Sequence, residues 1–207
     1  MSGVDSGVLD RAQGCWLGQL AGDSLGSLVE FRHAADIAAQ YPDGVRDLAD
    51  GGTWGTIAGQ PTDDSEMALA LARSLVARGT YDHADVLAAY QAWAASDPFD
   101  IGNTTRAGLA GYHAPESQAN GALMRISPLG IFGARRDPVE VRAWARADAR
   151  QTHIHEVCQA ANEVFVTALV TAIGQGAGAA EVLAVFAQAA ADPALPEAVR
   201  ACLAAAA

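Results

Sequence analysis

Three observations in this sequence predict an all-α fold. Hydrophobic residues make up 51% of its 207 positions, yet aromatics reach only 6% and alanine leads the rest. Val, Ile, Thr and Tyr are too sparse for many strands, whereas alanine suits closely packed helices. Apolar residues also return at helical spacing in most segments. The length suits one domain, residues 1–207, with room for a sizeable core.

Taken in order, the first helix spans Leu9 to Gly22, with Leu9, Trp16, Leu17 and Leu20 on one side. Gly22 and Gly26 then break it, and "LAGDSLGSLVEF" (Leu20–Phe31) presents Glu30 on irregular backbone. A second helix runs from Ser65 to Arg78 and stops at Gly79, a natural C-cap residue. Met67, Leu71 and Leu75 line its apolar face, and Asp63 with Glu66 three residues on reads as a capping box. From His83 to Ala95, residues Val86, Leu87, Tyr90, Trp93 and Ala94 follow the pattern of a core-facing helix. "DPFDIGNTTRAG" (Asp97–Gly108) is a polar loop leading into a short helix. "QANGALMRISPLGIFG" (Gln118–Gly133) sets Asn-Gly, an arginine and a proline among apolar residues. Val139–Arg150 is the next helix. The longest is His153–Gly174, with Val157, Ala161, Val164, Ala168 and Ala172 in register and Thr152 placed to cap it. Val182, Leu183 and Phe186 mark a last helix after a Gly-rich turn. No internal repeat is evident, and the Ala-rich end is low in complexity.

A formal charge of -11 argues against a broad nucleic-acid surface, which needs clustered Lys and Arg. Phosphate binding stays open locally, at a helix N-terminus or a few arginines. Cys15, Cys158 and Cys202 are scattered and odd in number, which reads as reduced thiols and not as a disulfide framework or zinc site. "MSGVDSGVLDRAQG" lacks the basic and apolar parts of a signal peptide. The most apolar run, Val164–Ile173, is about half of what a bilayer span requires. The expectation is a soluble, cytoplasmic protein.

Polar loops on a helical scaffold are where binding and catalysis concentrate. Thr62-Asp63-Asp64 places a hydroxyl and two carboxylates side by side between Pro61 and a helix. Taken alone that segment reads first as a helix cap and second as one wall of a site for Mg²⁺, which takes hard oxygen ligands. Taken singly, Glu30 reads as a solvated loop residue and Asn120-Gly121 as a turn. His155 reads as a surface histidine, Arg125 as a brace for its loop, and Trp16 and Trp93 as core.

Five strings in this order, "GDSLGSLVEF", "PTDDSEMALALA", "DIGNTTR", "NGALMRISPLGIFG" and "THIHEVCQAAN", resemble the ADP-ribosylglycohydrolases, which include the dinitrogenase-reductase-activating glycohydrolases. The likeness covers roughly Gln13 to Thr171. It implies a compact, orthogonal multi-helix bundle with a binuclear magnesium (sometimes manganese) centre. Its activity would be hydrolysis of the bond between ADP-ribose and a modified protein side chain, arginine foremost. Residue by residue it implies metal ligation by Thr62, Asp63 and Asp64, and catalytic carboxylates at Glu30 and Asp63. It implies ligand contacts at Asn120, Gly121, Ala122 and His153, and a lining role for Asn103 and Thr104.

The family completes its metal centre with a C-terminal Asp-x-Asp-Thr/Ser motif. This sequence has none, and after Gly178 its acidic residues are Glu181, Asp192 and Glu197. The resemblance therefore implies one ion or none here. A truncated chain, a short variant and a site completed by another chain all fit that pattern. An enzyme is the leading reading. A catalytically incomplete protein that binds ADP-ribose or a nucleotide is the alternative, and a helical adaptor is more remote.

Overall fold

The structure is a computed structural model that describes residues 5–206. Among these residues it holds ten helices and no strand; an isolated bridge between Gly51 and Thr56 is the single β feature. In chain order the helices are α1 (Ser6–Gly26), α2 (Ala34–Gln40), α3 (Asp63–Arg78), α4 (His83–Ala94) and α5 (Asn103–Leu109). They continue with α6 (Ser127–Gly133), α7 (Pro138–Arg150), α8 (Glu156–Gln175), α9 (Ala179–Ala191) and α10 (Glu197–Ala206). The all-α expectation holds, and the first four residues of the N-terminal stretch lie outside the described residues.

The core gathers the apolar faces read from the sequence. Met67, Leu71 and Leu75 of α3 meet Val86 and Tyr90 of α4, Leu129 of α6, Val141 of α7 and Val166 of α8. Gly79 ends α3 in the left-handed conformation, φ 67°, with its N–H donated to the Leu75 carbonyl. Helix α8 packs against α1, α6, α7, α9 and α10, and Arg146 of α7 donates to Glu163 (2.9 Å) and Glu156 on it. By length and composition alone α8 is apolar enough to cross a membrane; here it is the central helix of the bundle.

Three local expectations are overturned. Helix α1 does not break at Gly22 but runs on to Gly26, because nothing crowds Gly22 and the helix ladder simply continues. Its supposed core face is also wrong, since Leu9 and Leu17 are exposed while Val8 and Ser24 are buried. The long helix begins at Glu156, not His153. His155 is its N-cap, with Nδ1 accepting from the Val157 N–H at 3.1 Å, so His155 is half-buried and structural, not a surface residue. Helix α1 is tied down at widely separated points: Arg11 Nε donates to the Ile173 carbonyl at 2.9 Å. Gln19 Nε2 donates to the carbonyls of Asp64 (3.2 Å) and Met124 (3.1 Å).

Candidate active site

Where α1 ends, its neighbours leave a cleft of ≈ 640 Å³. Glu30, Thr62, Asp63, Asp64, Asn103, Thr104, Asn120, Gly121 and His153, all singled out from the sequence, line it. Asp23 and Asp100 line it too and were missed, although both stand inside strings that drew attention. Asp23 belongs there because α1 continues through Gly22 and carries it to the start of α3. Its carboxylate accepts the Thr62 hydroxyl at 2.7 Å, the Thr62 N–H at 3.1 Å and the Ser65 N–H at 3.1 Å. One carboxylate from α1 therefore caps α3 from outside and favours its positive end.

That external cap removes the capping box. Thr62 is the N-cap and its side chain makes no capping bond to a backbone N–H of the helix, so Asp63 is the first helical residue. Glu66 does not reach back either, since its Oε2 accepts from Trp93 Nε1 at 2.7 Å. Trp93 is half-buried against the core, and Trp16 is half-buried on α1. With capping assigned to Asp23, the Asp63 and Asp64 carboxylates are free of that duty and face the cleft.

The electrostatics there are one-sided. Five carboxylates, Asp23, Glu30, Asp63, Asp64 and Asp100, share a cleft whose lining contains no lysine or arginine. Burial first, then the charges of Asp100 and Asp64, push the Asp63 carboxyl up to about 8. Burial and the charge of Asp23 raise Asp64. Burial, with Glu30 and Asp64, lifts Asp100 to about 6. Such shifts record negative charge without a counter-charge. The donors are all oxygens, which suits a hard divalent cation better than zinc or copper. Among the described residues no three His, Cys, Asp or Glu side chains already gather around one metal position. Thr62, Asp63 and Asp64 amount to two carboxylates and a hydroxyl. The C-terminal acids Glu181, Asp192 and Glu197 do not line the cleft.

Glu30 is held from behind. Trp54 Nε1 donates to its Oε2 at 2.9 Å, and the Thr53 hydroxyl donates to its backbone carbonyl. The loop carrying both packs on the turn after α1 through Gly52, at φ 72°. A Cβ there would stand 2.5 Å from the Ser27 carbonyl oxygen, so glycine is required.

The Asn120–Gly121 turn and His153 line the same cleft. Asn120 opens a turn whose carbonyl accepts the N–H groups of Leu123 (2.7 Å) and Met124 (3.0 Å). Gly121 follows, and a Cβ on it would meet Thr105 Oγ1 at 2.6 Å and His153 Cε1 at 2.8 Å. Ala122 is fully buried and does not line the cleft; the turn points it into the core behind Gly121. His153 is 1% exposed, and burial followed by the charge of Arg125 lowers its imidazolium to about 4. Thr152 does not cap a helix. Its hydroxyl accepts from Arg125 at 2.9 Å and stands 2.8 Å from His153 Nδ1. Arg125 can only donate, and the hydroxyl makes no other hydrogen bond among the described residues; assigning its proton to Nδ1 leaves nothing unsatisfied there and puts the ring proton on Nε2. That N–H is buried and has no partner within the described residues. His153 lines the cleft, so this nitrogen is a candidate donor to a ligand there.

Arg125 is the brace its position suggested. It is wholly buried, lies 4.3 Å over the Tyr90 ring, and donates to Asp148 Oδ2 (3.1 Å), the Asp148 carbonyl and the Gly121 carbonyl. Tyr90 donates to the other Asp148 oxygen at 2.9 Å. One guanidinium thereby fixes the Gly121 turn and, through Thr152, the tautomer of His153.

Comparison with known proteins agrees in kind. A family model described as ADP-ribosylglycohydrolase matches residues 5–207. The chain is 43% identical over 164 residues to an ADP-ribosyl-[dinitrogen reductase] glycohydrolase of Rhodospirillum rubrum, covering 74% of this chain and 55% of that protein. It is 31% identical over 172 residues to an ADP-ribosylarginine hydrolase Tri1 of Pseudomonas putida (strain GB-1), covering 75% and 44% respectively. A solved structure described as an "ADP-ribosylglycohydrolase-related protein complex" superposes with a TM-score of 0.81 at 30% identity, covering 97% of this chain and 68% of its own. The chain thus spans about half the length of the curated relatives it matches.

Proposed function

Since the chain belongs to the ADP-ribosylglycohydrolase family, we propose that it releases ADP-ribose from a modified protein side chain, arginine foremost, by hydrolysing the glycosidic bond. One observation carries this reading: a cluster of carboxylates without a counter-charge faces an imidazole N–H and a glycine turn across a single cleft. An ADP-ribosyl group has the matching polarity, with an anionic diphosphate at one end and, in transit to hydrolysis, positive charge at the anomeric carbon.

Thr62, Asp63 and Asp64 would hold Mg²⁺ or Mn²⁺. Such an ion, when bound, orients hydroxyls and polarises water. The diphosphate would lie along the Asn120–Gly121 turn beside His153, where the missing Gly121 side chain lets Thr105 and His153 pack closely behind the turn, with the His153 Nε2–H as its candidate donor. Glu30 and Asp63 are the carboxylates for the chemistry. Trp54 occupies one oxygen of Glu30, and the other accepts no hydrogen bond within the described residues. In the net reaction a water oxygen bonds to the anomeric carbon and keeps one proton. The bond from that carbon to the acceptor nitrogen breaks, and the second proton ends on that nitrogen. A carboxylate beside the developing oxocarbenium stabilises it and relays the proton. We place the protein in the cytoplasm, consistent with three cysteines that remain unpaired.

A binder without turnover is the second reading, favoured because Glu181, Asp192 and Glu197 are not among the residues that line the cleft. An ADP-ribosylated arginine peptide separates the two. Release of ADP-ribose that requires Mg²⁺ or Mn²⁺ and stops with EDTA supports the enzyme. Calorimetric binding of ADP-ribose without release supports the binder. Neither release nor binding at millimolar ligand overturns both.

A further inference from the structure

The mouth of the cleft carries an aromatic rim that the proposed reaction does not use. Phe31, Trp54 and Phe99 are 79%, 36% and 42% exposed. They come from three distant segments: the turn after α1, the loop closed by the Gly51–Thr56 bridge, and the loop between α4 and α5. Phe31 meets Trp54 edge-on, centroids 6.2 Å apart at 82°, and Trp54 meets Phe99 at 6.0 Å and 56°. Core packing does not account for three large rings converging in solvent.

Two further observations tie this rim to function. Among the described residues, Phe31 (φ 59°) and Asp97 (φ 57°) are the non-glycine residues with left-handed backbone. One is in the rim and the other opens the loop that presents Phe99. For a bulky residue such as Phe31 this backbone is strained, and strain of this kind collects at functional sites. In addition, Phe31 itself lines the cleft, and each ring lies beside a cleft carboxylate, in sequence or by a hydrogen bond. Phe31 adjoins Glu30, Phe99 adjoins Asp100, and Trp54 donates to Glu30.

We propose that the Phe31–Trp54–Phe99 rim is the acceptor-side platform, which seats the planar guanidinium of the arginine that leaves. Aromatic faces with carboxylates beside them select a flat, weakly hydrated cation. A neutral acceptor such as serine, or a carboxylate acceptor, gains little from the rings and is repelled or unassisted by Glu30 and Asp100. The platform thus sets which linkage is cleaved. The assignment rests on the proposed function for its catalytic meaning, while guanidinium binding itself does not.

The deciding probe is N-acetyl-arginine amide, titrated against the protein and followed by tryptophan fluorescence, with N-acetyl-norleucine amide as the neutral control. Both rings to be changed are exposed, so Phe31→Ala and Phe99→Ala should fold, as circular dichroism can verify; Phe99→Leu keeps apolar area without the π face. The parent should bind the arginine amide saturably and the norleucine amide at least 5-fold more weakly. Each alanine variant, and Phe99→Leu, should lose about 2- to 30-fold in arginine-amide affinity, and Phe99→Tyr should retain it. With the arginine-linked substrate the loss should fall in KM, while affinity for free ADP-ribose stays unchanged. Equal binding of the two amides, or variants that bind the arginine amide like the parent, overturns the platform. So does a loss of free ADP-ribose affinity in Phe31→Ala or Phe99→Ala, which would make the rim a base-stacking surface. A parent that binds the arginine amide but neither binds nor releases ADP-ribose refutes the proposed function and leaves the rim standing.

Discussion

Arg125 and Asp63 are both buried and both ionisable, yet their surroundings differ in kind. Around Arg125, Asp148 supplies the opposing charge, Tyr90 offers its ring and its hydroxyl, and Thr152 and two carbonyls take the remaining donors. Around Asp63 stand Asp64, Asp100 and, beyond them, Glu30 and Asp23, with no lysine or arginine among the described residues that line the cleft. A buried charge paired inside the chain serves the architecture. Buried charge left unpaired, at a raised proton affinity, marks a place reserved for something that arrives from solution.

The comparison is broken most severely from its closed side. Arg125→Met should leave Asp148 buried without its counter-charge, with only the Tyr90 hydroxyl still donating to it, and cost roughly 3–5 kcal/mol, read from urea unfolding. On the open side, Asp63→Asn with Asp64→Asn should reduce ADP-ribose release by roughly a thousandfold, as expected when a charge-stabilising ion is lost. The same pair should raise the melting temperature in EDTA at pH 8, since it removes repulsion, and should abolish any gain in melting temperature on adding Mg²⁺. A double variant that is less stable in EDTA than the parent would contradict the unbalanced charge.

His153 sharpens the contrast through pH. Its proton affinity is lowered in the folded state, to about 4 against an ordinary 6.5. Its contribution is therefore present above pH 6.5 and is lost as pH falls towards 4, because the unfolded chain takes up the proton first. The loss approaches about 3 kcal/mol at the bottom of that window. Asp63 and Asp100, whose carboxyls are raised, tilt the other way over the same range. The measurement is thus the difference in unfolding free energy between the parent and His153→Gln, which should shrink as pH falls. Smallest is Gly121→Ala, where the added methyl presses on Thr105 and His153. It should cost about 1–3 kcal/mol and weaken ADP-ribose binding, with the secondary structure intact.

Much of this was legible in the sequence, for reasons that are local. The apolar spacing of Met67, Leu71 and Leu75, the glycine at position 79 and the polar breaks between helices are set by neighbours along the chain. The residues that line the cleft were legible because they stand in short strings of a known kind. What escaped depends on distance. Asp23 caps α3 from 39 residues away, and nothing near Thr62 shows that its helix is already capped. Once that bond exists, the capping box with Asp63 and Glu66 has no purpose. Ala122 was misplaced by one step of a turn, since Gly121 faces the cleft and its neighbour faces the core. Arg125 was read correctly as a brace, but its partner Asp148 lies 23 residues on and gave no signal.

The fastening of α1 has a kinetic corollary. Arg11 reaches a carbonyl 162 residues away and Gln19 one that is 105 away, whereas α3 with α4 and α7 with α8 are pairs of successive helices. Closing long loops is entropically slow, so neighbouring helices should pair first and α1 should dock late. Until it does, Asp23 is not at the end of α3 and the turn bearing Glu30 has nothing to rest on. Refolding followed by far-ultraviolet circular dichroism should then run ahead of refolding followed by ADP-ribose binding. A variant such as Gln19→Ala should widen that lag, yielding chains that are helical early and able to hold a ligand only later.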